Sequence, residues 1–175
     1  MSQELFVPLA LLIVALSLPA MPLFLLMFRL HINADAFLAQ AKKLIEADNA
    51  DRLIKLCNVV PSAPVPQGVK GMVIAANTGL RDTSSLHKGF DDAIPKLYEL
   101  VKKLRILSIV AIALGALGVV ELMRVKSSVP QGLYLLAAFV VIDIVVFELK
   151  LAKLKSDMVK AKETMTDILI RQQSE

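Results

Sequence analysis

The sequence predicts an all-α membrane protein with three transmembrane helices, the last two forming a long hairpin that extends into a helical cytoplasmic region. Two observations lead to this fold class. First, 56% of the 175 residues are hydrophobic and the mean hydropathy is +0.64, more apolar than soluble domains usually are. Second, the charged residues, 21% of the chain, are kept apart from three long apolar runs.

The first apolar run, Leu5 to Phe28, contains no charged residue. As a helix it is roughly 36 Å long, more than the hydrocarbon thickness of about 30 Å. It differs from a signal peptide because no positive residue precedes it, it is too long, and no small-x-small site follows. We therefore expect a retained span, in which Pro8, Pro19 and Pro22 are tolerated as in other membrane helices.

Two further apolar runs come late in the chain. Residues 106–120 are uncharged, and residues 129–149 are interrupted only by Asp143 and Glu148. Because backbone groups in lipid must be hydrogen-bonded internally, both runs are expected to be helical. Only a short connection within residues 124–130 lies between them, which predicts an antiparallel transmembrane hairpin.

The positive charges predict the orientation. Of the 20 Lys and Arg residues, twelve lie between Arg29 and Arg105 and six lie from Lys150 onward, while the N-terminal tail has none. The positive-inside rule therefore places the N-terminus outside and the C-terminus in the cytoplasm. Nucleic-acid binding is disfavoured, since no basic cluster is interleaved with aromatic residues, which make up only 5% of the chain.

Apolar spacing predicts the local structure of each region. The predicted regions are an N-terminal transmembrane helix (1–30), a cytoplasmic helical segment (31–105), the hairpin (106–149) and a cytoplasmic C-terminal helix (150–175). Within the cytoplasmic segment we expect a helix from Asn33 or Asp35 to about Ala47, a second over Ala50–Val59, an interruption at 61–66, a third helix over Gln67–Leu80, and a loop over Arg81–Gly89.

Two apolar stripes with helical spacing cross the borders of the hairpin. The first supports one long helix from near Phe90 to near Met123, and the second continues the third span into the C-terminal tail. Their members are Ile94, Leu97, Val101, Leu104, Ser108, Ala111, Gly115 and Gly118 for the first, and Ile144, Phe147, Leu151, Leu154, Met158, Ala161, Met165 and Ile168 for the second. Such stripes favour packing against other helices.

Motifs for catalysis or cofactor binding are absent from the sequence. There is no Gly-rich phosphate loop and no nucleophile elbow, and His31 and His87 are far apart. Cys57 is the single cysteine, so no intramolecular disulfide can form. We expect no enzyme, no cofactor and no metal site; His31 is interpreted as an interfacial or capping residue.

Asp143 is the most informative single residue. It lies deep in the third apolar run, where an acid costs about 2.5–3.5 kcal/mol on insertion scales, and such acids commonly carry protons or ions. No Lys or Arg inside the apolar runs neutralises it, so it is a candidate for reversible protonation, with Ser108 as a hydrogen-bond partner. The alternative is a permanently protonated acid bonded to Ser108, Tyr134 or a backbone carbonyl.

Two other acids lie near the ends of the spans. Glu121 is a further candidate for the proton or ion path, and Glu148 a weaker one. Both are also consistent with interfacial positions, where Arg124 or Lys150 is close in sequence.

Small residues form a seam along the second span. Ser108, Ala111, Gly115 and Gly118 recur at helical spacing, and Ala111 and Gly115 have the small-x-x-x-small form that lets membrane helices approach closely. Ordinary helix packing explains the seam. A functional interpretation is contact with a neighbouring subunit or a central partner helix.

The stretch from Leu104 to Val120 resembles the second span of the MotA/TolQ/ExbB proton-channel family. Ala111, Gly115, Gly118 and Val120 keep the places of the family pattern Ala-Pro-Leu-Leu-Gly-Leu-Leu-Gly-Thr-Val. Residues 45–79 are also similar to the first cytoplasmic helices of the family. The departures that bear on function are three: Ile112 stands at the proline, Val119 stands at the threonine of the polar proton route, and the third span lacks the threonine expected there.

The resemblance implies a bacterial inner-membrane subunit of a motor complex. Such a subunit assembles as a homo-oligomeric ring, a pentamer in the family, around a single-span ExbD/TolR/MotB-like partner, and couples ion flow to mechanical work. Val119 cannot hydrogen-bond in place of that threonine, and Asp143 is the residue expected to substitute as the protonatable group. The alternative function is a non-conducting structural or adaptor membrane subunit that scaffolds a complex.

Overall fold

The computed structural model describes residues 3–30, 32–124 and 131–172, and every regular element in these ranges is helical. The predicted all-α class is therefore confirmed for the part of the chain described. In order, the elements are α1 (Gln3–Leu25), a π-helical segment (Leu26–Leu30), α2 (Ala34–Glu46), α3 (Ala50–Val59), α4 (Pro64–Asn77), α5 (Thr83–Ala93), α6 (Pro95–Arg124) and α7 (Gln131–Arg171).

The chain divides into two compact units. Unit 1 comprises Met1–Met27 with Leu100–Leu151, and unit 2 comprises Phe28–Glu99 with Ala152–Glu175. The long helices α6 and α7 contribute residues to both units.

Helices α2 and α3 begin where the sequence predicts because each has a side-chain cap. The Asn33 side chain accepts a hydrogen bond from the backbone amide of Ala36 at 3.1 Å, and Asn49 accepts one from Arg52 at 3.3 Å. These caps satisfy amides that have no partner inside the helix. The choice between Asn33 and Asp35 as the first cap is thereby settled in favour of Asn33.

Two predictions in the cytoplasmic segment are wrong. Helix α4 starts at Pro64, before the expected Gln67, because proline is tolerated in a first turn whose amides have no intrahelical acceptor. The segment expected as a loop over 81–89 contains most of α5. Asp82 caps this helix by accepting from the amide of Ser85 at 2.9 Å.

The start of the long sixth helix also differs from the prediction. Ile94 closes the C-terminal end of α5, and α6 begins at Pro95 instead of near Phe90. The missing amide of proline is compatible with a first turn but not with the interior of a continuous helix. The stripe predicted along α6 is buried at all its positions except the half-buried Val101.

Helices α4 and α5 form the core of unit 2 by a close crossing at glycines. A Cβ added at Gly89 would lie 2.9 Å from the carbonyl oxygen of Gly71, so neither helix has room for a larger side chain there. Phe90 packs on Gly68 and is fully buried. Cys57 is also buried, and this burial raises the pKa of its thiol to about 12.

One charged cluster joins three helices of unit 2. Lys162 of α7 donates to Asp91 of α5 at 2.8 Å and lies 5.3 Å from the centre of the Phe90 ring. The hydroxyl of Tyr98, in the first turn of α6, donates to the same carboxylate at 2.6 Å. Burial raises the pKa of Asp91, but the hydrogen bonds from Lys162 and Tyr98 outweigh it and lower the pKa overall.

Helix α7 is one continuous helix of 41 residues, as the second stripe predicts. Six of the eight stripe residues are buried, and the terminal two, Ile144 and Ile168, are half-buried. The buried members are Phe147, Leu151, Leu154, Met158, Ala161 and Met165.

Among the described residues, one helix is long and apolar enough to cross a membrane, and it is α6. The described apolar stretch of α1, Phe6–Leu18, is shorter. These features support one possible crossing on length and composition, and three crossings remain a prediction. The connection at 125–130 and His31 lie outside the described residues.

Candidate functional site

Unit 1 is held together by the packing of α1, α6 and α7. Leu12 and Ala15 of α1 and Val140 of α7 form its buried core. A Cβ added at Gly115 of α6 would lie 3.1 Å from Val140 and 3.8 Å from Ala15. One added at Gly118 would lie 3.1 Å from the Leu12 side chain. Small residues on α6 therefore let both other helices approach.

These contacts identify what the seam packs against. Ala111, Gly115 and Gly118 are all buried, and the glycines face the chain's own α1 and α7. The order of the contacts shows that α6 runs antiparallel to both neighbours, as predicted for the hairpin, so α1 and α7 run parallel. Within unit 1 the seam serves ordinary helix packing.

The outer surface of unit 1 is apolar. Large hydrophobic side chains are exposed on all three helices, including Ile13 and Val14 on α1, and this arrangement suits contact with hydrocarbon better than with water. The exposed large hydrophobic residues of α6 and α7 include Ile109, Ile112, Leu117, Val120, Leu135, Phe139, Val141, Ile142 and Val145.

Ser108 has a different partner from the one expected. Its hydroxyl is almost fully buried and donates to the carboxylate of Glu148 at 3.0 Å, which links α6 to α7. The predicted bond between Ser108 and Asp143 is therefore not formed. Glu148, which the sequence marks only as a weak candidate, completes this polar pair.

Asp143 faces α1. Its Oδ2 atom is buried and has no hydrogen-bond partner among the residues that the structure describes, so neither Ser108 nor Tyr134 satisfies it. Asp143 lines a cavity of about 220 Å³ between α1 and α7. The other lining residues are all apolar: Leu16, Ala20, Leu23, Phe139, Ile142 and Val146.

Helix geometry explains why the two acids of α7 do not share a site. Asp143 and Glu148 are five residues apart, which is roughly 140° around the helix and about 7.5 Å along it. Glu148 consequently meets α6, whereas Asp143 meets α1. The unsatisfied oxygen of Asp143 is the unusual feature, since buried polar atoms nearly always have a partner.

Glu121 forms an ion pair within its own helix. Its carboxylate accepts from Arg124 at 2.9 Å, one helical turn away near the end of α6. This is the neighbour named by the interfacial interpretation. Glu121 therefore lies apart from both Asp143 and Ser108.

A second apolar groove lies between α6 and α7 and has a volume of about 490 Å³. No titratable side chain lines it; its walls include Gly115, Val119, Val140 and Ile144. In the described part of the chain, no group of three or more His, Cys, Asp and Glu residues could hold a metal ion.

The α1 wall of the Asp143 cavity is the part that sequence reasoning missed. Ala20 is a small residue in a stretch rich in leucine, and it could have indicated that α7 lies beside α1 here. Helix periodicity alone, however, does not show which helix a face packs against.

Comparisons with protein-family models, with curated proteins and with solved structures give no match to this chain.

Proposed function

We propose that this chain is a three-span subunit of a proton-driven energising complex of the MotA/TolQ/ExbB type in a bacterial inner membrane. Its N-terminus lies outside and its C-terminus in the cytoplasm. Several copies assemble as a ring around a single-span ExbD/TolR/MotB-like partner and couple proton flow to mechanical work. Asp143 carries the proton.

The observation that carries this proposal is the unpartnered carboxyl oxygen of Asp143 inside an apolar unit. An acid at such a depth is costly and is retained mainly where it binds ions or protons. Asp143 also lines a cavity of about 220 Å³, which leaves space beside this side chain for a proton donor. The exposed apolar faces of unit 1 support a location in lipid.

The proposal is tested in membrane vesicles prepared from the source organism. Proton flux is driven by an imposed membrane potential, and the share due to this chain is the difference from a deletion strain. Asp143→Asn keeps the size of the side chain but removes its titration. We expect that share of the flux, and the work coupled to it, to be lost.

The matched control is Glu163→Gln, which neutralises an exposed acid further along the same helix in unit 2. This variant should retain the full flux. Unchanged flux in the Asp143→Asn vesicles, at normal protein levels, would contradict proton carriage by this residue.

A non-conducting structural or adaptor subunit is the second candidate, and a separate observation favours it. The glycine seam is filled by the chain's own helices, and Val119 offers no hydroxyl for a polar route. In this case Asp143→Asn is neutral and assembly depends on packing. Gly115→Leu, whose Cβ would press on Val140, should disrupt the subunit, while Leu at the adjacent exposed Ala116 should not.

A further inference from the structure

The cavity lined by Asp143 is a groove that opens on the outer face of unit 1. Phe139 and Ile142 line it and are both largely exposed, so lipid or another helix must cover it in a bilayer. Lipid tails offer no group that can hydrogen-bond to the half-buried Asp143 side chain, which lines the groove. The groove therefore calls for an apolar helix that carries one polar group at the depth of Asp143.

The chain itself exposes such a group on α1. Ser17 is exposed, and its hydroxyl donates to the carbonyl oxygen of Val14 at 3.0 Å. Because its one proton is used in that bond, the Ser17 oxygen still has lone pairs that can accept a hydrogen bond. A protonated Asp143 carboxyl is a suitable donor.

The depth of Ser17 follows from the packing of unit 1. A Cβ added at Gly115 would contact both Ala15 and Val140, so these two residues lie at about one level of the parallel helices α1 and α7. Ser17 is two residues beyond Ala15, and Asp143 is three beyond Val140. The two side chains consequently differ in depth by one residue, about 1.5 Å.

We propose that a second copy of this chain closes the groove, with Ser17 of one copy accepting a hydrogen bond from Asp143 of the next. The inference rests on the membrane placement in the proposed function, because copies with the same orientation in a bilayer hold Ser17 and Asp143 at the same depth. The α6–α7 groove fits this role less well, since no polar side chain lines it.

Disulfide trapping between two differently tagged copies tests the interface. One copy carries Ser17→Cys and the other carries Ile142→Cys, so that any bond joining the two tags forms between chains. The copies are co-expressed, and their membranes are oxidised with copper phenanthroline. A disulfide requires the two Cα atoms to approach within about 7 Å.

The matched control pairs Ala113→Cys with Ile142→Cys. Ala113 is exposed on α6, and it lies at the level of Ser17 because it is two residues from Gly115 in the opposite direction. We expect tagged dimers from the Ser17 pair and few or none from the Ala113 pair. Equal trapping in both pairs, or trapping in neither, overturns the proposal.

A double-mutant cycle then tests the hydrogen bond itself. Ser17→Ala and Asp143→Ala should each weaken association of the copies about threefold to tenfold, the range found for hydrogen bonds between membrane helices. The double variant should lose little more than either single one, since both remove the same bond. Additive losses, or none, would overturn the pairing.

Asp143→Asn separates this inference from the proposed function. Asparagine keeps a hydrogen-bond donor for Ser17 but cannot take up and release a proton. Disulfide trapping should therefore persist while proton flux is lost. If trapping fails while flux depends on Asp143, the interface is wrong and the function stands. If trapping persists while flux ignores Asp143, the interface stands and proton carriage is wrong.

Discussion

Phe90 and Met72 of unit 2 are completely hidden from solvent, whereas Phe139 and Leu135 of unit 1 are 59% and 64% exposed. Both units nevertheless place glycines at their closest helix contacts. The difference lies in which side chains face outward. Unit 2 also exposes some large residues, among them Val59, Leu80 and Val159, but unit 1 displays them along all three of its helices, and its surface is therefore the better suited to apolar surroundings.

The largest test of this comparison is a pair of Phe→Ala variants. Phe90→Ala empties a buried position and should lower the free energy of unfolding of unit 2 by about 3–5 kcal/mol. Phe139→Ala removes a side chain that is 59% exposed within one copy, and it should change the stability of that copy by less than about 0.5 kcal/mol. Urea unfolding of the full chain in nanodiscs, followed by amide hydrogen exchange, measures both. Similar losses would mean that Phe139 is also covered within the chain.

A pair of Gly→Ala variants sharpens the comparison of the helix contacts. A Cβ at Gly71 meets the Gly89 carbonyl and lies 2.7 Å from the Ala93 Cβ, so backbone must move; we expect a loss of about 2 kcal/mol or more. At Gly118 the contact is the Leu12 side chain at 3.1 Å, which can shift. There the better helix propensity of alanine, worth about 0.5–1 kcal/mol, offsets the cost. Equal losses in thermal unfolding would contradict this distinction.

The smallest expected effect is a pH dependence of the stability of unit 2. Hydrogen bonds from Ser84 and Ser85 lower the pKa of Asp82 from 3.8 to about 2, and a hydrogen bond from Lys160 lowers that of Asp35. A lowered folded pKa gives stability that is present above about pH 4 and lost as the pH falls toward 2. Asp82→Asn should reduce this acid sensitivity in thermal unfolding between pH 2 and 5. An unchanged acid transition would contradict it.

Local chemistry explains which helices could be predicted from the sequence. Asn33 and Asn49 stand directly before apolar residues at helical spacing, and both act as caps in the structure. Helix α5 was missed because Thr83, Ser84 and Ser85 are typical of turns. In the structure, Asp82 is the N-cap of a helix that contains these three residues. Leu86 and Phe90 are buried and hold this helix in the core of unit 2.

The candidate site was predictable only in part. The depth of Asp143 within an apolar run follows from counting residues, and so does the seam on α6. The partner of each polar group depends on how α7 is rotated against its neighbours. That rotation is set by Leu12, Ala15 and Val140 packing together, which brings Ser108 to Glu148 and leaves Asp143 beside α1. Such long-range packing cannot be read from spacing within one helix.

Because Cys57 is buried, the native chain can be used for cysteine cross-linking without first removing its own cysteine. Disulfide formation and alkylation proceed through the thiolate, and a thiol with a pKa of about 12 holds almost none of it at neutral pH. Cysteines introduced at 17, 113 and 142 face outward from unit 1, where an oxidant can reach them, whereas Cys57 is shielded inside the chain. The natural cysteine can stay in place, and every bond trapped reports on the engineered positions.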